Sequence, residues 1–298
     1  MSPDTIKPLS IFAPAKINLY LHITGKLDSG YHTLDSLISF ADIGDDICIE
    51  PAQSLSLEIN GPYGSAFKGK DLSSEPESTN LVIKAVRATA QLAQKTPALK
   101  VTLTKNLPLG AGIGGGSADA AAIIWGLLQY WALPKSLKGL DDLMLSLGAD
   151  VPVCFACQSA YVSGIGETIT PAHDIPEQPI VLIYPGKPCH TGKIFSLYNE
   201  DYIAPHPHKD PPDLDDIMKN TRNSLTKTAI QTVPSIQNVL ENLQTQEGCM
   251  LVRMSGSGSS CFGLFKDRAA ADNAAENIAS TNPDWWVKSG WLGRTQRY

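Results

Sequence analysis

A glycine-rich segment carries the strongest chemical signal in the chain. Five of the seven residues at positions 110–116 are glycine, and the segment lies between a strand pattern and a helix pattern. Glycine lets the backbone approach a ligand closely and point successive N–H groups at it. The N-terminus of the following helix adds free N–H groups and the positive end of a helix dipole. These features predict a site for an anion, most simply a di- or triphosphate, although a tight, closely packed turn would use the same residues.

Two common phosphate loops fit this segment poorly. Gly110, Gly112 and Gly115 satisfy the G-x-G-x-x-G pattern of dinucleotide-binding folds. That fold also needs a second strand ending in an acidic residue about 20 residues further on, and the residues that follow have a helix pattern instead. The P-loop of nucleotide triphosphatases needs a lysine before its Ser or Thr, whereas Ser117 follows a glycine. A third type of phosphate loop is therefore predicted.

Two polar residues share one face of the first predicted strand. Lys16 and Asn18 are two residues apart, so a strand directs both side chains to the same side. A cation and an amide within an otherwise apolar segment indicate either a solvated strand face or part of a polar site.

Asp150 follows a predicted helix that Gly148 ends. A carboxylate at such a position either caps a helix or acts as a general base, and a nearby lysine would keep it ionised at neutral pH. A base hydrogen-bonded to a substrate alcohol is what phosphoryl transfer to a hydroxyl uses. A polar turn, Ser-Gly-Ser-Gly-Ser-Ser at residues 255–260, is predicted to be a hairpin loop or to supply donors to a site between domains.

Strand and helix patterns are mixed along the chain without strict alternation, which predicts an α+β fold. Alternating apolar residues predict strands at residues 10–24 (as strand, turn, strand), 31–50, 55–59, 101–105, 180–184, 250–254 and 261–265. Helices are predicted after an N-cap at Asn80 and at residues 118–131, 140–147, 222–231, 235–246 and 269–279. The apolar run at residues 151–162 is predicted to be a strand. Prolines at 171, 176 and 179 suggest a boundary between domains 1–168 and 169–298.

Composition narrows the classes of function. Of 298 residues, 43% are hydrophobic and 18% are charged, and the net charge is −6. These values argue against global disorder and against a nucleic-acid partner. The sequence has no apolar run long enough to cross a bilayer and no secretory leader, so we expect a cytoplasmic protein without a membrane partner. Cys154 and Cys157 form a C-x-x-C pair and are predicted to be buried strand thiols rather than zinc ligands.

Three short motifs in a fixed order resemble those of the GHMP kinase superfamily of small-molecule kinases. They are Pro-Ala-Lys-Ile-Asn-Leu at residues 14–19, the glycine loop, and the serine–glycine turn at residues 255–260. Gly-Tyr-His-Thr-Leu at residues 30–34 narrows the resemblance to the family of kinases that act on cytidine diphosphate-methylerythritol. The resemblance extends from about residue 12 to residue 265. It implies a two-domain α+β kinase with the active site in the cleft between the domains.

The resemblance also implies roles for individual residues. Lys16 and Asp150 correspond to the catalytic pair, with Asp150 as the base toward the substrate C2 hydroxyl. Residues that correspond to the ATP site are Asn80, Leu81, Lys105, Pro108, Leu109, Gly110, Ala111, Gly112, Ile113, Gly114, Gly115, Gly116, Ser117 and Ala118. Residues that correspond to the substrate side are Asn18, Tyr31, His32, Thr191 and Phe195. Members of the family need Mg²⁺ with ATP, and the sequence assigns no metal ligands.

Several alternatives remain open from the sequence. Ala118 stands where many relatives have a second serine, and its methyl side chain cannot supply a hydroxyl contact. Another small alcohol, of the mevalonate or sugar type, is an alternative substrate. A nicotinamide-dependent oxidoreductase and a nucleotide-binding protein without catalysis are alternatives from other classes. The oligomeric state is open between a monomer and a weak homodimer.

Overall fold

The computed structural model describes residues 7–67 and 80–294. Their strands are β1 (Leu9–Lys26), β2 (His32–Pro51), β3 (Ser56–Asn60), β4 (Leu99–Thr104), β5 (Ala160–Gly164), β6 (Thr168–Pro171), β7 (Gln178–Tyr184), β8 (Cys249–Met254), β9 (Cys261–Phe265) and β10 (Trp286–Leu292). Their helices are α1 (Leu81–Leu92), α2 (Gly115–Tyr130), α3 (Leu140–Leu147), α4 (Val151–Ala156), α5 (Thr191–Leu197), α6 (Leu214–Asn220), α7 (Thr226–Thr232), α8 (Ser235–Gln244) and α9 (Arg268–Thr281), with a 3₁₀ turn at Gly64–Phe67. The predicted α+β class is confirmed.

The long strands β1 and β2 form an antiparallel ribbon that organises the fold. Strand β2 also pairs with β4, β5 and β10, and the sheet continues in the order β3-β4-β2-β10-β7-β9-β8. Neighbouring strands on this path are antiparallel except β3 and β4. Because β10 near the end of the chain pairs with both β2 and β7, one sheet joins the two halves of the molecule.

Three clusters of buried side chains lie against this sheet. The first packs α1–α4 on the β1, β2 and β4 strands, and its buried members fall between residues 11 and 162. The second packs α5 and α7–α9 on β7–β9 and also takes Leu21 and Ile23 from β1. A third cluster joins β1 and β2 to β7 and β9. The domain boundary at residue 168 stays a prediction, because β1 contributes to the cores on both sides of it.

The prediction of a strand at residues 151–162 is wrong for the first half of this segment. Residues Val151–Ala156 form the helix α4, and β5 begins at Ala160. A short apolar run cannot by itself distinguish a buried helix from a buried strand. Pro152 fits the first turn of a helix, where its missing N–H has no partner to lose. Cys154 is buried as predicted, although on a helix. The prediction of a buried strand position is wrong for Cys157, which is half-buried at the helix end with a left-handed backbone.

Other predictions hold more closely. Asn80 caps α1, because its side-chain oxygen accepts from the backbone N–H groups of Val82 and Ile83. Helix α3 has the predicted bounds.

Some elements differ from the sequence prediction. The sequence does not predict the short helices α5 and α6, and the first strand is continuous where it predicts a turn. Among the described residues, no helix is both long and apolar enough to span a bilayer.

Candidate active site

A cavity of about 680 Å³ lies where the β1–β2 ribbon, the glycine loop and the starts of α4 and α5 meet. Most residues that the sequence assigned to a site line this cavity. They are Lys16, Asn18, Asn80, Leu81, Lys105, Pro108, Leu109, Gly110, Ala111, Gly112, Gly114, Gly115, Gly116, Ser117, Asp150, Thr191 and Phe195. Residues from both halves of the chain therefore face one space, as the resemblance implies for a cleft between domains.

The glycine loop has the backbone geometry of an anion-binding turn. Gly110, Gly112 and Gly114 have φ values of +66°, +77° and +69°, a region that residues with a Cβ rarely adopt. Gly114 is the N-cap of α2, so the first N–H groups of that helix have no partner within the helix, and the residues of this first turn line the cavity. An anion placed there would meet these donors and the positive end of the helix dipole.

Neighbouring segments hold the loop in this shape. The Lys16 N–H donates to the Ile113 carbonyl at 3.0 Å, and the Ser260 N–H donates to the Ala111 carbonyl at 2.9 Å. Ile113 and Ala118, which the sequence also assigned to the ATP site, have buried side chains and do not line the cavity, and the Ala118 N–H donates to the Gly114 carbonyl at 2.8 Å. The turn at residues 255–260 thus packs against the glycine loop, which is more than a hairpin connection would require.

Lys16, Asn18 and Asp150 form a connected polar group beside the loop. The Lys16 Nζ donates to the Asn18 Oδ1 at 2.9 Å and lies 3.1 Å from the Asp150 Oδ2. The side chain of Lys16 is 6% exposed, whereas that of Asp150 is 44% exposed. Asp150 occupies the N-cap position of α4, but its side chain makes no capping hydrogen bond. The helix-cap interpretation therefore fails, and the carboxylate is left to face the cavity.

Lys105 lies at the base of the cavity between two acidic residues that sequence reasoning missed. Its Nζ bonds the carboxylate of Asp45 and lies 2.7 Å from the Asp119 Oδ2. Burial lowers the pKa of Lys105, but Asp119 and Asp45 outweigh it and raise the pKa above its usual value. Burial raises the pKa of Asp119 to about 7, despite the opposing charge of Lys105. For Asp119, the signal in the sequence was a lone charged residue in an alanine-rich helix.

The residues assigned to the substrate side are only partly brought together. The His32 ring is buried and packs against Phe195 and Tyr198, with ring centroids 5.9 and 5.8 Å apart. Burial lowers the pKa of His32, and Lys26 lowers it further. The Thr191 hydroxyl bonds the Ser257 hydroxyl at 2.9 Å. Tyr31 is 65% exposed and is not among the residues that line the cavity.

The donors around the cavity fit a divalent cation that arrives with a polyphosphate. Within residues 7–67 and 80–294, no cluster of three or more His, Cys, Asp or Glu side chains could hold a metal ion. The cavity does contain oxygen donors, the Ser117 hydroxyl in the first turn of α2 and the Asp150 carboxylate. Mg²⁺ prefers oxygen ligands and usually takes several of them from substrate phosphates. This donor set fits Mg²⁺.

The order of elements after the glycine loop contradicts the nicotinamide-dependent alternative. A dinucleotide-binding unit needs a strand after the helix that follows the loop. Here α2 is followed by α3 and α4. The loop is therefore of another type, as the sequence suggested.

Comparisons with protein families agree with this arrangement. The model described as "GHMP kinases N terminal domain" matches residues 80–158, and the model described as "GHMP kinases C terminal" matches residues 204–284. A 4-diphosphocytidyl-2-C-methyl-D-erythritol kinase from Paramagnetospirillum magneticum is 42% identical over 95% of this chain and 98% of its own length. The enzyme of the same name from Roseobacter denitrificans is 40% identical over 98% of this chain and 96% of its own length.

Solved structures show the same similarity. A crystal structure of 4-(cytidine 5'-diphospho)-2C-methyl-D-erythritol kinase superposes with a TM-score of 0.79 and 30% identity, covering 96% of this chain and all of that one. A homoserine kinase from Cytophaga hutchinsonii superposes with a TM-score of 0.68 over the whole of this chain and 97% of its own. Its identity is 15%, so that likeness concerns the fold alone.

Proposed function

This chain belongs to the GHMP kinase family, and we propose that it transfers a phosphoryl group from ATP to the C2 hydroxyl of 4-diphosphocytidyl-2-C-methyl-D-erythritol. The reaction class is that of a small-molecule kinase with an alcohol as acceptor. Relatives of about 40% identity carry the name of this kinase. In the family that the sequence motifs resemble, the reaction is a step of the non-mevalonate route of isoprenoid biosynthesis. The observation that carries the proposal is the Lys16–Asp150 pair beside a glycine loop at a helix N-terminus.

Asp150 is assigned to the acceptor hydroxyl. Its carboxylate is nearly half exposed, makes no capping bond, and is approached by Lys16 on one oxygen. A carboxylate in this position accepts the hydroxyl proton or orients the hydroxyl toward the phosphorus. Phosphoryl transfer passes through a loose transition state that needs little early deprotonation, so orientation is the larger part of this role.

Lys16 and the glycine loop are assigned to the phosphate charge. Three nonbridging oxygens carry the charge of the transferring group, and preorganised donors in a site with little water stabilise it. The Lys16 ammonium is buried and already placed between Asn18 and Asp150, so little rearrangement is needed at the moment of reaction. The N–H groups at the start of α2 hold the triphosphate, while Asn80 and Leu81 line the part of the cavity assigned to the nucleoside. Lys105, just before the glycine loop, also lines the cavity.

The proposed Mg²⁺ would be held by the nucleotide phosphates with the Ser117 hydroxyl as a protein ligand. When bound, such an ion neutralises charge on the triphosphate and polarises the phosphoryl group. Ala118 cannot supply a second hydroxyl, since its side chain is a methyl group that is buried in the core. The protein's share of this work is to orient Ser117 on the first turn of a rigid helix.

The cytidine end of the substrate is assigned to Tyr31 and His32, and the remainder to Asn18, Thr191 and Phe195. An exposed aromatic ring such as Tyr31 is free to stack on a base, and stacking on a ring contributes about 1–3 kcal/mol per base in nucleic-acid binders. The Thr191 hydroxyl and the Phe195 ring line the cavity from α5 and can contact the acceptor part.

The proposal is tested by ADP release from Mg-ATP in the presence of the cytidine diphosphate substrate. We expect turnover by the parent protein, and a fall in kcat of about 10²-fold or more in Asp150→Asn, the usual scale for loss of a general base. Asp142→Asn, the same change at an exposed position on α3, is the matched control and should keep full activity.

Each outcome of this assay separates one part of the proposal. Activity that survives in Asp150→Asn would support the kinase activity but contradict the role assigned to Asp150. Activity with mevalonate, homoserine or galactose in place of the cytidine substrate would contradict the assigned acceptor. Nucleotide binding without turnover on any of these alcohols would contradict the catalytic function itself.

A further inference from the structure

We propose that Ser36 is a positioning residue, which fixes the orientation of the Asn18 amide and so holds the Lys16 ammonium beside Asp150. The proposal rests on the phosphoryl-transfer function proposed above and adds a residue that the sequence motifs do not contain. Ser36 lies on β2 and is fully buried, with Leu21 opposite it on β1. Its contacts form one line of hydrogen bonds that ends at the catalytic pair.

The proton of the Ser36 hydroxyl has a fixed destination. The Ser36 Oγ donates to the Tyr20 carbonyl at 2.5 Å, and a carbonyl oxygen can only accept. A serine hydroxyl has one proton, so toward any other partner the Ser36 oxygen can only accept. That partner is Asn18, whose Nδ2 donates to the Ser36 Oγ at 2.8 Å.

The orientation of the Asn18 amide follows from this constraint. With Nδ2 turned to Ser36, the Oδ1 faces the Lys16 Nζ at 2.9 Å, and an ammonium group can only donate. A flipped amide would turn N–H groups toward the ammonium and leave two oxygens facing each other on the Ser36 side. Asn18 and Lys16 are only 3% and 5% exposed, so water would replace the lost partners poorly. Therefore only the orientation with Oδ1 toward Lys16 and Nδ2 toward Ser36 gives each of these polar groups a hydrogen-bond partner.

The backbone leaves few other freedoms to Asn18. Its own N–H donates to the Ser255 Oγ at 3.1 Å, which attaches this point of β1 to the turn at residues 255–260. The pairing of β1 with β2 shifts between Pro14 and Lys16 and again between Asn18 and Tyr20. Irregularities of this kind often lie beside active sites and redirect side chains. Since the backbone is fixed on both sides, the rotation of the amide is what Ser36 controls.

A double-mutant cycle tests whether Ser36 acts through Asn18. We expect Ser36→Ala to lower kcat about 10-fold, the scale of one hydrogen bond, with the KM for ATP within about two-fold of the parent. In the Asn18→Ala background, the same change should alter kcat by less than about two-fold. Equal losses in the two backgrounds, or no loss in the parent, would overturn the proposal.

Two further variants separate this role from a general effect on folding. Ser39→Ala is the matched control, because Ser39 is another fully buried serine of β2 whose hydroxyl bonds Ser159 at 2.9 Å. It should keep kcat within about two-fold of the parent. Ser36→Thr keeps the hydroxyl and should retain most of the activity. A loss in Ser39→Ala as large as in Ser36→Ala, or no rescue by threonine, would contradict the assignment.

A measurement without substrate distinguishes this inference from the proposed function. In protein labelled with ¹⁵N-asparagine, the Asn18 side-chain amide is identified by its absence in Asn18→Ala, and its exchange with solvent is followed. We expect protection in the parent and in Ser39→Ala, and exchange at least about 10-fold faster in Ser36→Ala. Protection in a parent that lacks kinase activity would contradict the proposed function alone. An unprotected Asn18 amide in the parent, or equal protection in Ser36→Ala, would contradict the positioning role alone.

Discussion

Gly112 is the position where one added methyl group should do most damage to the nucleotide site. Its φ of +77° lies in the left-handed region, and a Cβ there would overlap the Gly258 carbonyl oxygen and lie 2.7 Å from the carbonyl carbon. The obstacle is backbone rather than the flexible end of a side chain, so Gly112→Ala forces the glycine loop and the turn at residues 255–260 apart. Both are tied nearby by the Ser260 to Ala111 hydrogen bond.

Gly112→Ala is expected to lower the free energy of unfolding for two reasons, and their contributions add approximately. A left-handed backbone costs an alanine about 1–2 kcal/mol, and overpacking of a filled site costs about 1–3 kcal/mol. The sum is a loss of roughly 2–5 kcal/mol in the free energy of unfolding. For a chain of this size each kcal/mol corresponds to about 2–4 °C, so Tm should fall by about 4–20 °C. Displacement of the loop N–H groups should also raise the KM for ATP about 10-fold, which corresponds to about 1.4 kcal/mol.

Gly116→Ala provides the matched control for stability. The same methyl group is added in the same glycine cluster, but the residue lies in α2 and the Cβ would be 3.4 Å from the Leu81 Cδ1, an ordinary contact. Alanine is favoured over glycine in a helix by about 1 kcal/mol, so Tm should stay level or rise. Thermal unfolding of both variants decides the matter. If the two Tm values agree within about 2 °C, the strain argument is refuted.

Three further predictions concern charge and substrate. Because burial raises the pKa of Asp119 to about 7, its contribution to stability is present below pH 3.8 and is lost as the pH rises through about 7. Urea unfolding at pH 5 and pH 8 should therefore show that the parent loses more free energy of unfolding over this interval than Asp119→Asn does, and an equal pH dependence would count against this. Burial lowers the pKa of His22, whose Nε2 accepts from the Arg222 N–H, so stability is present above pH 6.5 and falls as the pH drops below it. His22→Gln should flatten this decline in Tm between pH 7.5 and pH 5.5, and an unchanged decline would assign it to other groups. Tyr31→Ala should raise the KM for the cytidine substrate roughly 5- to 100-fold, with Tyr31→Phe near the parent value, and unchanged kinetics would exclude stacking there.

What the sequence predicts well here is local. Five clustered glycines predict a backbone that turns through conformations open mainly to glycine, and Gly110, Gly112 and Gly114 have such positive φ values. Lys16 and Asn18 share a face because a strand repeats every two residues, and their contact at 2.9 Å follows. The cap of α1 by Asn80 is equally a property of a few neighbouring residues.

What the sequence predicts poorly depends on distant partners. Residues 151–156 are apolar and short, and packing against α2, rather than local preference, decides that they form a helix. Asp150 therefore starts a helix and faces Lys16, a contact between residues 134 positions apart that no spacing rule contains. The sequence likewise does not predict the ion pair of Asp45 with Lys105, because the two residues meet only when β2 and β4 pair.

The fold makes the distance between cation and phosphate site a property of the backbone. The Lys16 N–H is bonded to the Ile113 carbonyl, and a Cβ at Gly114 would lie 3.0 Å from the Lys16 Cβ, so β1 and the glycine loop are in direct contact where the reaction is assigned. Asn18 lies on the same strand, two residues after Lys16, and its side-chain oxygen accepts a hydrogen bond from the Lys16 ammonium. A slip of β1 by one residue would reverse the faces of its side chains and remove both the cation and the loop contact at once. The two pairing irregularities that flank Lys16 and Asn18 lie in the stretch of β1 that contacts the glycine loop, so the positions of the proposed catalytic cation and of the proposed phosphate loop depend on the same strand.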